Sequence, residues 1–450
     1  MDKLNNLFLN RLKDTYSWNF VSNILNFGSI LFASSLLSTN LEIFGIFSLV
    51  FSIYFLIGYF DLGFTSASVK FYSENIKDKS KKQLEILGFI FFIFMILGIL
   101  FASIFIIMAN NNYLIRDLSN EALEVFKYLC YLSAVFSFSV AFKKIGDIHF
   151  TATVQTYIQH KAIAFASILK ILAIYLFFIY LDYAVIKYFL FFLFVDFFVN
   201  LYLFIKVIGW KGLHVFFRKY IKFQPDIYFK QKSLAYTTVV GSLVAITCFE
   251  SDVIIAELLN LENIFLISAV YFLSTPLKRF ISILFVPLFP RMNHYYGTKK
   301  TASVKRLFSS SMNLLMFISP LFGVAFLLGP DLIYYLYGSN YSLSVNFFDI
   351  AVICYFFVFL SNPIISLLRT FLKVEALTKI NFFQPIVFLI ILFFSYEKFG
   401  LYAIFIAKLV STILVIILMS YFASEIYKKI FRLVIKNIAA FLIPILIYFV

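Results

Sequence analysis

The sequence predicts an all-α polytopic membrane protein, with about twelve transmembrane helices in two parallel six-helix lobes. Composition, the spacing of apolar segments and an internal repeat carry that expectation. Of the 450 residues, 62% are apolar, 14% are charged and 63 are Phe, with a mean hydropathy of +0.94. Globular chains hold ~45–50% apolar residues, and one or two soluble cores could not hide the surplus. A spanning helix needs ~20 apolar residues, so twelve would take up roughly 240 positions and leave only short loops.

Hydropathy along the chain marks segments at 17–37, 43–65, 86–109, 123–142, 162–180, 184–208, 236–258, 264–288, 309–329, 347–368, 379–396 and 400–422. A further apolar stretch from Leu433 to Val450 is interrupted by Lys436, Asn437 and Pro444. It is compatible with a span, a re-entrant turn or an interfacial helix.

The 38 Lys and Arg against 23 Asp and Glu leave a net charge of +15. Placement gives that excess its meaning. The N-terminus and the connections after even-numbered segments hold 30 of the basic residues, and those after odd-numbered segments hold 3. This asymmetry places the N-terminus in the cytoplasm and removes the nucleic-acid reading of a basic chain. Trp18 and Trp210, the only tryptophans, fall at the cytoplasmic ends of segments, where amphipathic rings favour the headgroup level. Residues 1 to 16 are polar and lack a small-residue cleavage site, so no signal peptide is expected.

Leu41-Glu42-Ile43-Phe44-Gly45-Ile46-Phe47-Ser48-Leu49 parallels Leu261-Glu262-Asn263-Ile264-Phe265-Leu266-Ile267-Ser268-Ala269, an offset of 220. Leu129-Cys130-Tyr131 parallels Ile353-Cys354-Tyr355 at an offset of 224. The nearly constant offset implies two related halves. Because six is even, both halves start on the same side of the membrane. The expected division is an N-terminal lobe at 1–208, a basic cytoplasmic linker at 209–235, a C-terminal lobe at 236–422 and a basic and apolar tail at 423–450. Two lobes around a central cavity follow as the expected architecture.

No Walker loop, dinucleotide fingerprint or zinc-spaced cluster is present, and His149, His160, His214 and His294 sit in loops or at segment ends. Cys130, Cys248 and Cys354 lie in apolar runs and read as core residues. A transporter rather than an enzyme is expected, with no cofactor and no metal. Its function then rests on polar groups at membrane depth, each costing ~2.5–3.5 kcal/mol on insertion scales.

Asn19, Asn23 and Asn26 form a polar stripe on segment 1, suited to a cavity wall facing hydroxyl-rich solutes or to interhelical hydrogen bonds. Four cations lie too deep to snorkel easily: Lys170 in segment 5, Lys278 and Arg279 in segment 8, and Lys408 in segment 12. They form an electropositive site for an anionic group, or they pair with deep acids. The acids available are Asp196 in segment 6 and Glu250, Asp252 and Glu257 in segment 7. Glu250 and Glu257 are seven apart and share a face of segment 7, an arrangement open to proton coupling. Arg369 and Lys373 follow segment 10 as inner-face charges or a first headgroup contact.

Gly45-Ile46-Phe47-Ser48-Leu49, Asp61-Leu62-Gly63-Phe64 and Lys70-Phe71-Tyr72 resemble the first conserved block of the polysaccharide transporters. These are the Wzx-type flippases of the multidrug/oligosaccharidyl-lipid/polysaccharide (MOP) exporter superfamily. In the second half, Phe289-Pro290-Arg291 and Leu336-Tyr337-Gly338-Ser339-Asn340-Tyr341 are similar as well. The resemblance runs over roughly residues 10 to 422. It implies a MATE-like two-lobe fold in the bacterial cytoplasmic (inner) membrane. The activity implied is movement of an undecaprenyl-pyrophosphate-linked oligosaccharide repeat unit to the periplasmic leaflet by alternating access, for O-antigen or other surface polysaccharide. Under it, Lys170, Lys278, Arg279 and Lys408 would meet the pyrophosphate, and Asn19, Asn23 and Asn26 the sugar. Membrane lipid, a polysaccharide polymerase and a chain-length regulator are the implied partners. The alternatives are a MATE-like small-molecule or drug exporter, and a non-transporting membrane subunit of a polysaccharide assembly complex. A membrane ligase or polymerase ranks lower, because the longest outer loop, from Gly329 to Asn346, carries Asp331 as its only acid or base apart from tyrosines.

Overall fold

A computed structural model describes residues 2–60, 63–74, 81–111, 119–181, 183–259, 264–285, 288–297, 299–371 and 373–449. Within them, the side chains at 2–12, 233, 234, 237, 245, 276–285, 289, 290, 294, 297, 374 and 449 fall outside the description. Every regular element among the described residues is helical. The chain divides into two compact units, Met1–Ser242 and Leu243–Val450. Among the described residues, nine helices are long and apolar enough to cross a membrane, and eleven if each of two bent pairs is one crossing. Two shorter apolar helices, Leu41–Leu56 and Ile264–Thr275, complete the set. These elements fall on the twelve expected segments and on the last apolar stretch. The protein is a multi-pass membrane protein.

Unit 1 contains α1 (Asp2–Leu37), α2 (Leu41–Leu56), α3 (Phe64–Glu74), α4 (Lys81–Asn110), α5 (Asn120–Phe136), α6 (Ser139–Ala152), α7 (Tyr157–Ile174) and α8 (Val185–Ile208). A π-helical turn at Tyr175–Tyr180 extends α7. Asn40 caps α2, its side chain accepting from the Ile43 amide. The second segment was expected to run to residue 65, but α2 ends at Leu56. The chain turns at 57–59, and before α3 it passes Gly63, whose φ is +71° and where a Cβ would strike the Ala235 backbone. Hydropathy averages register apolar content and miss such a turn. The next span is bent by 47° between α5 and α6. At the bend, the Ser137 hydroxyl donates to the Gly98 carbonyl of α4 at 2.9 Å.

The basic stretch after α8 forms a 3-10 turn at Trp210–Gly212, α9 (Leu213–Val215), a π turn at Phe216–Tyr220 and the start of α10 (Pro225–Ala245). Its first unit packs it closely: Phe216 is buried, and the Ser68 hydroxyl donates to Gln231 Oε1 at 3.0 Å. Lys144, expected among loop charges, is buried in α6. Its ammonium donates to the Gly58 carbonyl at 2.9 Å, closing the turn after α2 as a cation favours at a helix C-terminus.

Unit 2 contains the end of α10, a π turn at Ile246–Glu250, α11 (Asp252–Leu258), α12 (Ile264–Phe285), α13 (Leu288–Gly297), α14 (Thr301–Tyr337), α15 (Ser342–Thr370), α16 (Val374–Phe399), α17 (Tyr402–Ser424) and α18 (Ile430–Phe449). The packing inside each unit follows one plan. In unit 1, α5 and α6 together touch α2, α4 and α8, while α7 lies against α1 and α8. In unit 2, α15 touches α12, α14 and α17, while α16 lies against the 246–250 turn and α17. Cys130 of α5 and Cys354 of α15 are both fully buried.

The last apolar stretch is a helix, α18, docked on α14. Asn437, one of the residues that interrupts its hydropathy, is the docking group. Its amide donates to the Met312 carbonyl at 3.2 Å and accepts from the Ser319 hydroxyl at 3.2 Å. Gly323 lets the Phe441 backbone approach where any Cβ would collide.

Candidate functional site

Among the described residues, two buried ion pairs lie in spanning helices, one in each unit. In unit 1, Lys170 of α7 is 4% exposed and donates to Asp196 Oδ1 of α8 at 2.7 Å. Its ammonium sits 3.6 Å from the Phe192 ring centroid, a cation–π contact that helps a charge tolerate burial. Asp196 keeps 27% of its side chain exposed, against 5% for Lys170, so the carboxylate is the open side of the pair. One turn on, the Asn200 amide donates to the Ser139 hydroxyl at 2.9 Å, which ties α8 to the bend before α6.

On α1, Asn19, Asn23 and Asn26 are half-buried. The Asn23 amide donates to Asn19 Oδ1 at 2.6 Å and to the Asn19 carbonyl at 2.7 Å, so two of the three amides are joined along the helix. Asn26 has no side-chain partner among the described residues. Ser22, between them, lies 3.4 Å from His160 Nδ1 of α7. His160 and the Gln159–Asp147 hydrogen bond at 2.8 Å escaped the sequence reading, because polar residues at segment ends look like loop residues.

In unit 2 the span expected at 236–258 is broken. The chain leaves α10 through the π turn at Ile246–Glu250, passes Ser251 and restarts as α11 at Asp252. The Ser251 hydroxyl donates back to the Thr247 carbonyl at 2.9 Å. The shared face expected for Glu250 and Glu257 assumes one continuous helix, and the break removes it. Glu250, 6% exposed, accepts from the Tyr271 hydroxyl of α12 at 3.4 Å. Glu257 is half-buried, one residue before the exposed Leu258.

The break brings Asp252 against α17. Asp252 is 3% exposed and Lys408 is fully buried, and the Lys408 ammonium donates to Asp252 Oδ2 at 2.5 Å. The rings of Phe249, Tyr355 and Phe405 stand 5.7, 6.0 and 5.7 Å from that ammonium. Discontinuous spanning helices are where transporters place ion and substrate groups. Lys278 and Arg279 belong to α12, but their side chains lie outside the described residues, as do Asp61, Leu62 and residues 261–263 of the sequence motifs. Lys373 meets Glu425 at 2.8 Å on the surface, an ion pair of ~0–1 kcal/mol.

Pairing is therefore what Lys170 and Lys408 do in this conformation, in chemically different ways. The unit 1 pair offers a half-exposed carboxylate over a buried ammonium. The unit 2 pair is enclosed and fastens the restart of a broken helix to α17.

No family profile matches the chain, and no curated protein matches its sequence. Solved structures do match its fold. The lipid II flippase MurJ in an inward closed conformation superimposes with a TM-score of 0.68 at 14% identity, over 97% of this chain and 98% of that one. An inward-facing multidrug resistance transporter of the MATE family, MOP superfamily, gives 0.65 at 12% identity, over 94% and 99%. A MOP superfamily transporter from Pyrococcus furiosus, described as having a binding pocket of reversed polarity, gives 0.63 at 12% identity, over 92% and 96%. At these identities the likeness is one of fold: the chain has the fold of the MOP superfamily transporters, drug exporters and a lipid-linked flippase among them.

Proposed function

We propose that the protein is a flippase of the bacterial inner membrane, with its N-terminus in the cytoplasm. It carries an undecaprenyl-pyrophosphate-linked oligosaccharide repeat unit to the periplasmic leaflet by alternating access, for O-antigen or other surface polysaccharide assembly. The observation that carries this reading is a set of polar groups kept at membrane depth in a fold that a lipid-linked flippase shares. A pyrophosphate needs cations and a sugar needs a hydrated polar route. Lys170, Lys278 and Arg279 take the first role in the proposal, and Asn19, Asn23 and Asn26 the second. Lys170 faces Asp196 and Lys408 faces Asp252 here, so each reaches a headgroup only in a state in which its pair opens. A polysaccharide polymerase and a chain-length regulator are the protein partners the proposal adds, since they would act on the unit after it is moved.

A MATE-like exporter of small molecules is the second reading. It is favoured by the MATE-family likeness and by the buried acids Glu250 and Asp252, which suit a cationic substrate or coupling ion. Reconstitution separates the two. Purified protein in liposomes should move a fluorescent polyprenyl-pyrophosphate oligosaccharide between leaflets. The Lys278→Ala, Arg279→Ala variant should slow that movement about tenfold or more, the equivalent of ~1.4 kcal/mol of lost stabilisation. Export of a cationic dye with no movement of the lipid-linked sugar would favour the second reading.

A further inference from the structure

Between α7 and α8 of unit 1 runs a groove of about 780 Å³. Its walls are Phe165 and Leu169 from α7 and Phe191, Phe194 and Phe198 from α8. Phe165, Phe194 and Phe198 are exposed at 62, 49 and 48%, so the groove opens on the outer face of this helix pair. One end alone is polar. There Lys161 and Lys206 line it together with Tyr157 and Tyr202.

Chain direction fixes which end that is. α7 begins at Tyr157 and α8 ends at Ile208, so the two lysines share the end that the basic-residue count assigns to the cytoplasm. At ~1.5 Å per residue, the lining of α8 from Lys206 to Phe191 is about 22 Å long, and that of α7 from Lys161 to Leu169 about 12 Å. One leaflet contributes ~15 Å of hydrocarbon below its headgroups. The groove thus starts at headgroup level and reaches roughly one leaflet deep.

Its lysines are held differently from the deep ones. Lys170 and Lys408 face carboxylates, whereas Lys161 and Lys206 have no carboxylate partner among the described residues. Aromatic groups hold them instead. The Lys161 ammonium lies 5.1 Å from the Trp18 ring and 5.4 Å from the Tyr157 ring. The Lys206 ammonium lies 5.6 Å from the Tyr202 ring and donates to its hydroxyl at 3.3 Å. Rings steer the ammoniums without neutralising them, which leaves two positive charges lining one end of an apolar trough.

We propose that this groove is a binding site for one anionic phospholipid of the cytoplasmic leaflet. The phosphate lies between Lys161 and Lys206, and the acyl chains lie along Phe165, Phe194 and Phe198. Charge, polarity gradient and depth all match that occupant, and basic pockets between helices on this side are suited to anionic headgroups. A polyprenyl chain long enough to reach across both leaflets would overrun a groove of this length. The proposal does not depend on the transported substrate, and its failure would leave the flippase reading standing.

The test is native mass spectrometry of the full chain released from nanodiscs of mixed phosphatidylglycerol and phosphatidylcholine. The wild type should retain one phosphatidylglycerol. Lys161→Gln with Lys206→Gln should reduce that retention about tenfold or more, since each lysine near the surface strengthens anionic-lipid binding about fivefold. Lys143→Gln with Lys232→Gln, exposed lysines outside the groove, should leave it unchanged. Ala162→Trp fills the groove with both lysines in place and should also expel the lipid, which keeps the proposal testable should the lysine variant fail to fold. Undiminished retention in the groove variants would overturn the proposal, as would equal retention of phosphatidylcholine. Displacement of phosphatidylglycerol by an equimolar polyprenyl phosphate would overturn it too, by assigning the groove to the substrate.

Discussion

Replacing Lys408 with Met should destabilise unit 2 more than any other single side-chain change at the site. The expected loss is ~3–5 kcal/mol, the range found when one partner of a buried ion pair is removed. Asp252 would then sit 3% exposed beside a thioether, without the ammonium now at 2.5 Å. The damage should be local to the broken span, because Asp252 opens α11 and α11 packs on α12 and α17. Thermal unfolding in detergent measures it. The double variant Lys408→Met, Asp252→Leu removes both charges at similar volume, and it should recover most of the stability or exceed the wild type. Equal losses in the single and double variants would mean that the pair does not hold the break.

The pair in unit 1 should behave differently. Lys170→Met leaves Asp196 with 27% of its side chain exposed, so solvent can take over part of the lost interaction. A stability loss of ~1–3 kcal/mol is expected, and transport of the lipid-linked sugar should fall about tenfold or more, an effect of ~1.4 kcal/mol. Lys170→Met with Asp196→Leu separates the two effects. Recovery of stability without recovery of transport is the outcome the proposed headgroup role requires. Recovery of both would make the pair structural, a bridge between α7 and α8 and no more.

The sequence disclosed these pairs only as alternatives. Asp196 and the segment 7 acids stood as candidate partners for the deep cations, and the fold selects Asp196 for Lys170 and Asp252 for Lys408. Hydropathy located every apolar segment, because in a membrane the backbone must satisfy itself and apolar length is decisive. The two cysteines of the short repeat, Cys130 and Cys354, are both fully buried, while the tyrosines beside them differ, Tyr131 exposed and Tyr355 buried.

What stayed hidden is where backbone geometry interrupts an apolar run. The turn after Leu56 interrupts an apolar run, and the left-handed Gly63 that follows it packs against Ala235, far away in sequence. The break at Ser251 has no proline to announce it, and it separates Glu250 from Glu257. Lys144 looked like a loop charge because it lies just past the apolar segment 123–142, whereas it is buried in α6 against the Gly58 carbonyl of the turn after α2. Asn437 looked like a flaw in the last segment and proved to dock it.

The leaflet in which lipid-linked repeat units collect when this protein is deleted tests the account most directly. Periodate or lectin labelling of intact and permeabilised cells reads it. Undecaprenyl-pyrophosphate-linked repeat units should accumulate on the cytoplasmic side, with surface polysaccharide lost and both restored by the wild-type chain. Accumulation of unpolymerised units on the periplasmic side would contradict the account, since translocation would then proceed without this protein and its role would lie in a later step.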